Sequence, residues 1–316
     1  MTVLVIGAGW SGAVVARTLH DRGIDVHVVE QADVVGGHAR CEVLNGVVYE
    51  PNGAHIFHTS NRRVAEYVQQ FGMTRPYEHR VLTEVFLRDD DEQSYLLSWP
   101  PQIAELRDLP DWPIIERELA ELPEQPQGED FETFVVSLMG RHLYRLFIEG
   151  YTRKQWGCEP SDLSSRFAPK RVDLRDDGYT RLFRDTWEFF PERGASSAIE
   201  AILRPVPVTC GVSVTADDVE ELFGRPAAVV ITAPLDDFLG QPGALEWRGI
   251  RMDNLLMSRW SRVAHQSVPK LKMLTLVAGR APWGKRKSSK ERLDREDHIV
   301  VTVAMVVLQP ERPIAS

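Results

Sequence analysis

Residues 3–12 read VLVIGAGWSG and residues 24–30 read IDVHVVE. The apolar run from Thr2 to Ile6 stops at a glycine, which predicts a buried strand. Ser11 to His20 carries Val14, Val15 and Leu19 at helical spacing, and Gly23 stops it. Ile24 to Val29 is a second strand, ending at Glu30. Strand, helix and strand within about thirty residues form the unit of a parallel sheet. The turn between them, Gly7-Ala8-Gly9-Trp10-Ser11-Gly12, is a GxGxxG sequence that follows a strand and opens a helix. In that context it signals dinucleotide binding. The glycines let the backbone turn tightly and approach a pyrophosphate, and the helix N-terminus offers N–H donors and partial positive charge to the phosphates. Glu30, with Gln31 beside it, stands where a carboxylate can accept hydrogen bonds from ribose hydroxyls.

Outward from this unit, Asn61 to Phe71 has Val64, Val68 and Phe71 on one face and Gly72 after it, a helix. Residues 100–130 are rich in Pro, Glu and Gln and predict a loose connection with a short helix. Phe131 to Tyr151 is a long helical stretch broken near Gly140. Ala227 to Ala233 is a continuous apolar run, typical of a central strand.

The 316 residues have 43% hydrophobic and 26% charged side chains, which excludes disorder and fibrous repeats. A formal charge of −9 argues against general binding to nucleic acid or anionic membrane. The charge is uneven: residues 1–252 carry −15 and residues 253–316 carry +6. Cys41, Cys158 and Cys210 are too scattered for a disulfide framework or a zinc site, so a reducing, cytoplasmic setting is expected. The apolar run Ile299 to Leu308 is half the length a membrane helix needs. His55 and His58 lie three apart, but no third ligand sits nearby, so no metal is expected.

Gly36-Gly37 follows Glu30 after a five-residue spacer. This resembles FAD enzymes of the glutathione-reductase and amine-oxidase type more than NAD dehydrogenases. The fold class implied is α/β: an FAD-binding Rossmann-like domain with a helical insertion and an antiparallel sheet region.

Further segments narrow the likeness. GAGWSGAVVA, VVEQADVVGG and GAHIFHT (Gly53 to Thr59), then YTRKQWG (Tyr151 to Gly157), KRVDLR (Lys170 to Arg175), DDGY (Asp176 to Tyr179) and APLDDFLG (Ala233 to Gly240), stand in order. Together they resemble the UDP-galactopyranose mutase family over about residues 2–252, and YTRKQWG is the most specific match.

The resemblance implies an isomerase that interconverts UDP-galactopyranose and UDP-galactofuranose. Reduced FAD would attack the anomeric carbon through its N5, UDP would leave and return, and the sugar would reclose through its other hydroxyl. The FAD contacts implied are Gly7, Gly9, Trp10, Ser11, Gly12, Glu30, Gln31, Gly36, Gly37, His38, His55 and Ile56. On the substrate side Trp156 would stack on uracil, Phe147 and Tyr151 would line the same pocket, and Thr152 would hydrogen-bond the uridine end. Phe147 and Tyr151 stand at i, i+4, which puts both on one helix face. Arg171 would bind the diphosphate, Tyr179 would bond a phosphate oxygen, and His79 would take the place of a substrate-holding Asn. Arg171, His55 and His58 are the implied catalytic residues. The implied organisation is an FAD-binding βαβ part over 1–80 and a mostly helical substrate-binding part over 81–160. A mobile loop, sheet and return to the FAD domain follow over 161–252, then a divergent basic tail of uncertain fold over 253–316.

The chain departs from the family pattern. Trp10 replaces the usual Phe, His38 an Asn that contacts FAD, and His79 another Asn. A short deletion precedes Asp176. After Arg251 nothing matches: a second diphosphate-binding Arg and a glycine-arginine step are expected there, and Val277 to Arg280 does not supply them. A reading-frame shift, a fusion or a family variant would each leave this pattern. The expectation is weak FAD binding and impaired turnover. Three other readings stay open: a mutase for another nucleotide sugar, an amine-oxidase-like flavoenzyme, and a silent nucleotide-binding remnant. The oligomeric state, including a homo-oligomer, stays open as well.

Overall fold

In a computed structural model the described residues are 2–44, 47–53, 55–88, 93–166, 172–191 and 193–245, together with the backbone of 250–257 and 299–306. The chain opens with β1 (Val3–Ile6), α1 (Trp10–His20) and β2 (Val26–Glu30). Next come β3 (Glu42–Leu44), β4 (Val47–Tyr49), β5 (Phe57–Thr59), α2 (Arg62–Gln69) and β6 (Arg75–Pro76). A hairpin of β7 (Val81–Val85) and β8 (Tyr95–Trp99) precedes α3 (Ile103–Leu106), α4 (Trp112–Ala120), α5 (Phe131–Met139) and α6 (Arg141–Leu143). A π-helical turn, Tyr144–Glu149, leads into α7 (Gly150–Trp156). The remainder is β9 (Trp187–Phe190), α8 (Ala195–Leu203), β10 (Val208–Cys210), α9 (Asp218–Phe223), β11 (Ala228–Ile231), α10 (Leu235–Phe238), β12 (Ile250–Met257) and β13 (Ile299–Val306).

The central sheet runs β10-β2-β1-β11, with every pairing parallel. Its two faces explain why β1 reads as unbroken apolar sequence. Val5 and Val28 pack with Ala13 and Ala16 of α1 and Ile199 and Ile202 of α8. Leu4, Ile6 and Val29 point the other way and pack with Phe238 and Val214. A parallel strand covered on both faces has no solvent side on which to alternate. Each such aliphatic side chain stabilises the fold by about 1.5–3 kcal/mol.

Among the described residues the Ala227 to Ala233 run forms an edge strand, where a central one was expected. Among the described residues β11 pairs with β1 on one side only, and its burial pattern is exposed to intermediate throughout. Apolar composition alone does not distinguish an edge from a centre.

A second layer surrounds a separate core. Leu106, Ile115, Val135, Met139, Leu143 and Tyr144 are its best-buried members. α5 starts at Asp130, whose carboxylate accepts from the Thr133 N–H at 2.8 Å, while Thr133 Oγ1 accepts from the Asp130 N–H at 3.4 Å. α5 ends at Gly140, which has φ +85°, so the expected break is there. A Cβ at Gly140 would lie 3.1 Å from that of Glu118. The 100–130 stretch holds two helices rather than one, the second with Pro113 in its first turn. The 81–160 segment begins with the β7–β8 hairpin before turning helical.

The third unit is an antiparallel sheet, β5-β9-β6, with Phe57 opposite Phe189 and His58 opposite Glu188. It carries α2, capped by the Asn61 side chain, which accepts from the N–H groups of Arg63 and Val64. Beyond Met252 the tail is not featureless: Ile250–Met257 and Ile299–Val306 pair antiparallel over eight residues each. The basic stretch Lys285 to Lys290 and the Val277 to Arg280 step lie outside the described residues.

Candidate functional site

The glycine turn sits at the C-terminal edge of β1, where ligands bind in open parallel sheets. Gly7 has φ +101°, a backbone that L side chains rarely adopt, and a Cβ at Gly12 would lie 1.9 Å from the Gly7 carbonyl oxygen. Gly9 is different. It is the extended N-cap of α1, with no side-chain cap, and a Cβ there would meet only Gly37 Cα, at 3.8 Å. The Gly36 N–H donates to the Ala8 carbonyl at 3.0 Å, so the two glycine turns lie backbone on backbone. Ser11 is exposed in the first turn of α1, and Gln31 and His38 are exposed beside the second turn.

Glu30 is buried at the end of β2. Its Oε2 accepts the Ala8 N–H at 2.7 Å and its Oε1 the Ala32 N–H at 2.9 Å. A carboxylate with one N–H on each oxygen keeps lone pairs for further donors such as ribose hydroxyls. The uncapped helix N-terminus, the open face over Gly9 and this carboxylate fit a dinucleotide.

Next to the turn is a cavity of about 450 Å³ lined by Trp10, His55, Ile56, Phe57, Met73, His79 and Phe183. It brings the first residue of α1 together with the GAHIFHT segment and with His79, residues far apart in sequence. His55 Nδ1 stands 3.2 Å from Glu50 Oε2. That hydrogen bond raises the His55 pKa against the opposing effect of burial. His79 is buried, and burial lowers its pKa, opposed by the nearby Glu188 carboxylate. Its own N–H donates to Glu188 Oε2 at 2.8 Å.

His58 is not in the cavity wall. Strand alternation turns it to the other side of Phe57, where it stacks on the Phe183 ring at 3.6 Å between centroids. Its Nδ1 is 2.7 Å from Asp185 Oδ2, and Ser60 donates to the other Asp185 oxygen at 2.8 Å. Burial raises the Asp185 pKa, but the bonds from His58 and Ser60 outweigh it and leave the carboxyl below its ordinary value.

The implied substrate residues are placed unevenly. Phe147 is buried in the second core, tilted against Trp99 at 6.1 Å, whereas Tyr151 is 42% exposed. Thr152 is buried, Trp156 is half-buried at the end of α7, and none of the four lines the cavity. The Tyr179 hydroxyl donates to the Phe183 carbonyl at 2.8 Å. It closes its own loop in this structure rather than standing open to a phosphate. Arg171 lies outside the described residues.

Sequence reasoning missed Arg175, which is 5% exposed. Its guanidinium donates to the carbonyls of Tyr179 at 3.0 Å, Arg181 at 2.6 Å and Leu182 at 3.2 Å, and to Asp173 at 2.7 Å. The 179–183 loop, which ends at the cavity wall, is wrapped around this one cation. Phe183, Phe57, Met73, Glu50 and Asp185 were missed too. Phe57 lay inside the GAHIFHT segment, so alternation along its strand was the available signal.

Residues 5–71 match the NAD(P)-binding Rossmann-like domain model, and residues 146–272 match the UDP-galactopyranose mutase model. A probable UDP-galactopyranose mutase of Klebsiella pneumoniae is 31% identical over 261 residues, which cover 78% of this chain and 64% of that protein. The chain is similar to the UDP-galactopyranose mutases over these stretches. The family match runs to residue 272, past the boundary near Met252 where the resemblance was expected to stop. A dTDP-fucopyranose mutase of Escherichia coli is 28% identical over 70% of this chain and 59% of its own length. The chain thus spans about three-fifths of the length of these curated relatives. A solved reduced UDP-galactopyranose mutase superposes with a TM-score of 0.55 at 19% identity, covering 76% of this chain and 57% of that one, a likeness of fold. No helix among the described residues is long and apolar enough to cross a membrane.

Proposed function

We propose that the chain is a flavin-dependent sugar-nucleotide mutase that contracts a pyranose to a furanose, with UDP-galactopyranose as the first candidate substrate. The observation that supports it most is the cavity in which Trp10 of the glycine turn meets His55, Ile56 and His79. FAD is the cofactor this reading requires, with its pyrophosphate over Gly9 and Gly37, a ribose at Glu30 and its ring toward the cavity. In its reduced form it would supply the electron pair that displaces the nucleotide from the anomeric carbon, so no protein nucleophile is required.

The protein's own task is binding and orientation. Phe57, Phe183 and Trp10 give the cavity flat apolar walls that exclude water. His55 offers hydrogen-bonding capacity at its rim, and His79 lines its interior. Trp156, Tyr151, Phe147 and Thr152 are assigned to the uridine end, Arg171 and Tyr179 to the diphosphate and His58 to support of the wall. For Tyr179 this requires the hydroxyl to leave the Phe183 carbonyl, so the loop must move when substrate binds.

A second nucleotide sugar is favoured by a specific observation. A histidine, His79, stands in the cavity where the family pattern has an asparagine, and dTDP-fucopyranose mutase is among the relatives. The experiment is to load the purified chain with FAD, reduce it with dithionite and supply UDP-galactopyranose or dTDP-fucopyranose. A furanose product from either is the expected result, and the better substrate names the sugar. No furanose from either, in a chain with stoichiometric flavin, overturns the mutase reading. Oxygen consumption with amines would then put an oxidase in its place.

A further inference from the structure

Glu50 is a nearly buried carboxylate beside the cavity residue His55. Its side chain is 9% exposed, and it sits under the cavity rim rather than in solvent. Its Oε2 accepts from the backbone N–H of His55 and lies 3.2 Å from the ring Nδ1 of the same residue. Its Oε1 lies 3.7 Å from the Cys41 thiol, which burial pushes above its ordinary pKa and so keeps protonated. One buried carboxylate therefore grips one histidine at two points, main chain and ring. A ring nitrogen facing a carboxylate carries the hydrogen. In the neutral ring that leaves Nε2 as an acceptor, and in the cation Nε2 becomes a second donor.

We propose that Glu50 is a positioning residue for His55. It fixes the imidazole in its Nδ1–H form and holds Nε2 as the ring nitrogen offered to a ligand in the cavity, an electron-rich or anionic ring or oxygen. Only the identity of that ligand rests on the mutase reading; the pairing stands without it. Glu50 also raises the His55 pKa, with the Gly53 carbonyl pulling more weakly the same way. The other titratable groups nearby are Cys41 beneath Glu50 and His79 in the cavity wall, and burial keeps both uncharged near neutral pH. A charged imidazole at the rim would favour a ligand that gains negative charge as it reacts.

The first arm of the test needs neither flavin nor sugar. Long-range ¹H–¹⁵N spectra of the full-length ¹⁵N-labelled chain, recorded from pH 5 to 9 and assigned with His55→Gln, report each ring's tautomer and titration midpoint. The native chain should show His55 as the Nδ1–H tautomer, titrating above the ordinary histidine value of 6.5. Glu50→Gln keeps an acceptor and should preserve the tautomer while lowering the midpoint toward the ordinary value of 6.5. Glu50→Ala should lower the midpoint and release the tautomer as well. His58, held by Asp185, should be unchanged in both and serves as the control. If Glu50→Ala does not fold, Glu50→Gln alone decides. A His55 midpoint that does not move in folded Glu50→Gln overturns the proposal. In the flavin-loaded chain, the pH profile of turnover should shift by the same amount as the midpoint. A profile that stays fixed while the midpoint moves refutes the positioning role.

Discussion

Gly12 and Gly9 belong to one motif but are glycines for different reasons. A Cβ at Gly12 would stand 1.9 Å from a main-chain oxygen, whereas at Gly9 it would meet only Gly37 Cα, at 3.8 Å. Gly12→Ala should therefore cost about 1–3 kcal/mol of stability through a forced backbone shift. Gly9→Ala should leave the urea midpoint unchanged and still abolish flavin retention, because its methyl group fills the face a pyrophosphate would approach. Equal midpoints for the two variants would refute this division. The two cavity histidines differ in the same residue-by-residue way. Burial lowers the folded pKa of His79, so its contribution is present above the ordinary value of 6.5 and is lost as pH falls through it, where only the unfolded ring gains a proton. Glu50 raises the folded pKa of His55, so its contribution is full below 6.5 and is lost as pH rises through the folded value. Urea midpoints from pH 5 to 8 should accordingly fall less on the acid side in His79→Gln than in the native chain.

The glycine turn works only because elements hold it, and the elements divide by how local their causes are. β1, α1 and β2 are readable in the sequence because a strand covered on both faces must be continuously apolar and its turn must be glycine. The break at Gly140 is readable for the same reason. The π-helical turn at Tyr144–Glu149 is not, since apolar spacing looks alike in α and π winding. The edge position of β11 is likewise invisible in its composition. Arg175 is the extreme case: its role is set by three carbonyls and a carboxylate brought to it by the following loop. Lysine keeps the charge but cannot fork to several acceptors at once. Arg175→Lys should thus cost about 3 kcal/mol, as a buried cation network losing its geometry does. It should also open residues 176–184 to limited proteolysis while the helical core stays protected. Protection of that loop in the variant would mean that other contacts hold it.

At the scale of the whole molecule, the charge divides into −15 over residues 1–252 and +6 over residues 253–316, while the family match crosses that line to residue 272. The sign change is therefore not the edge of the resemblance. The described residues of the glycine turn and the cavity all lie between Gly7 and Phe183, and β12 and β13 pair with each other. Every described residue of the turn and the cavity therefore lies within the first 245 residues. Flavin fluorescence titrations of the full chain and of a chain ending at Leu245 should give dissociation constants within about threefold, which is roughly 0.65 kcal/mol. A full chain that binds tenfold or more tightly than the shortened one would place part of the flavin site in the tail. The basic charge there would then have a cofactor phosphate as its partner.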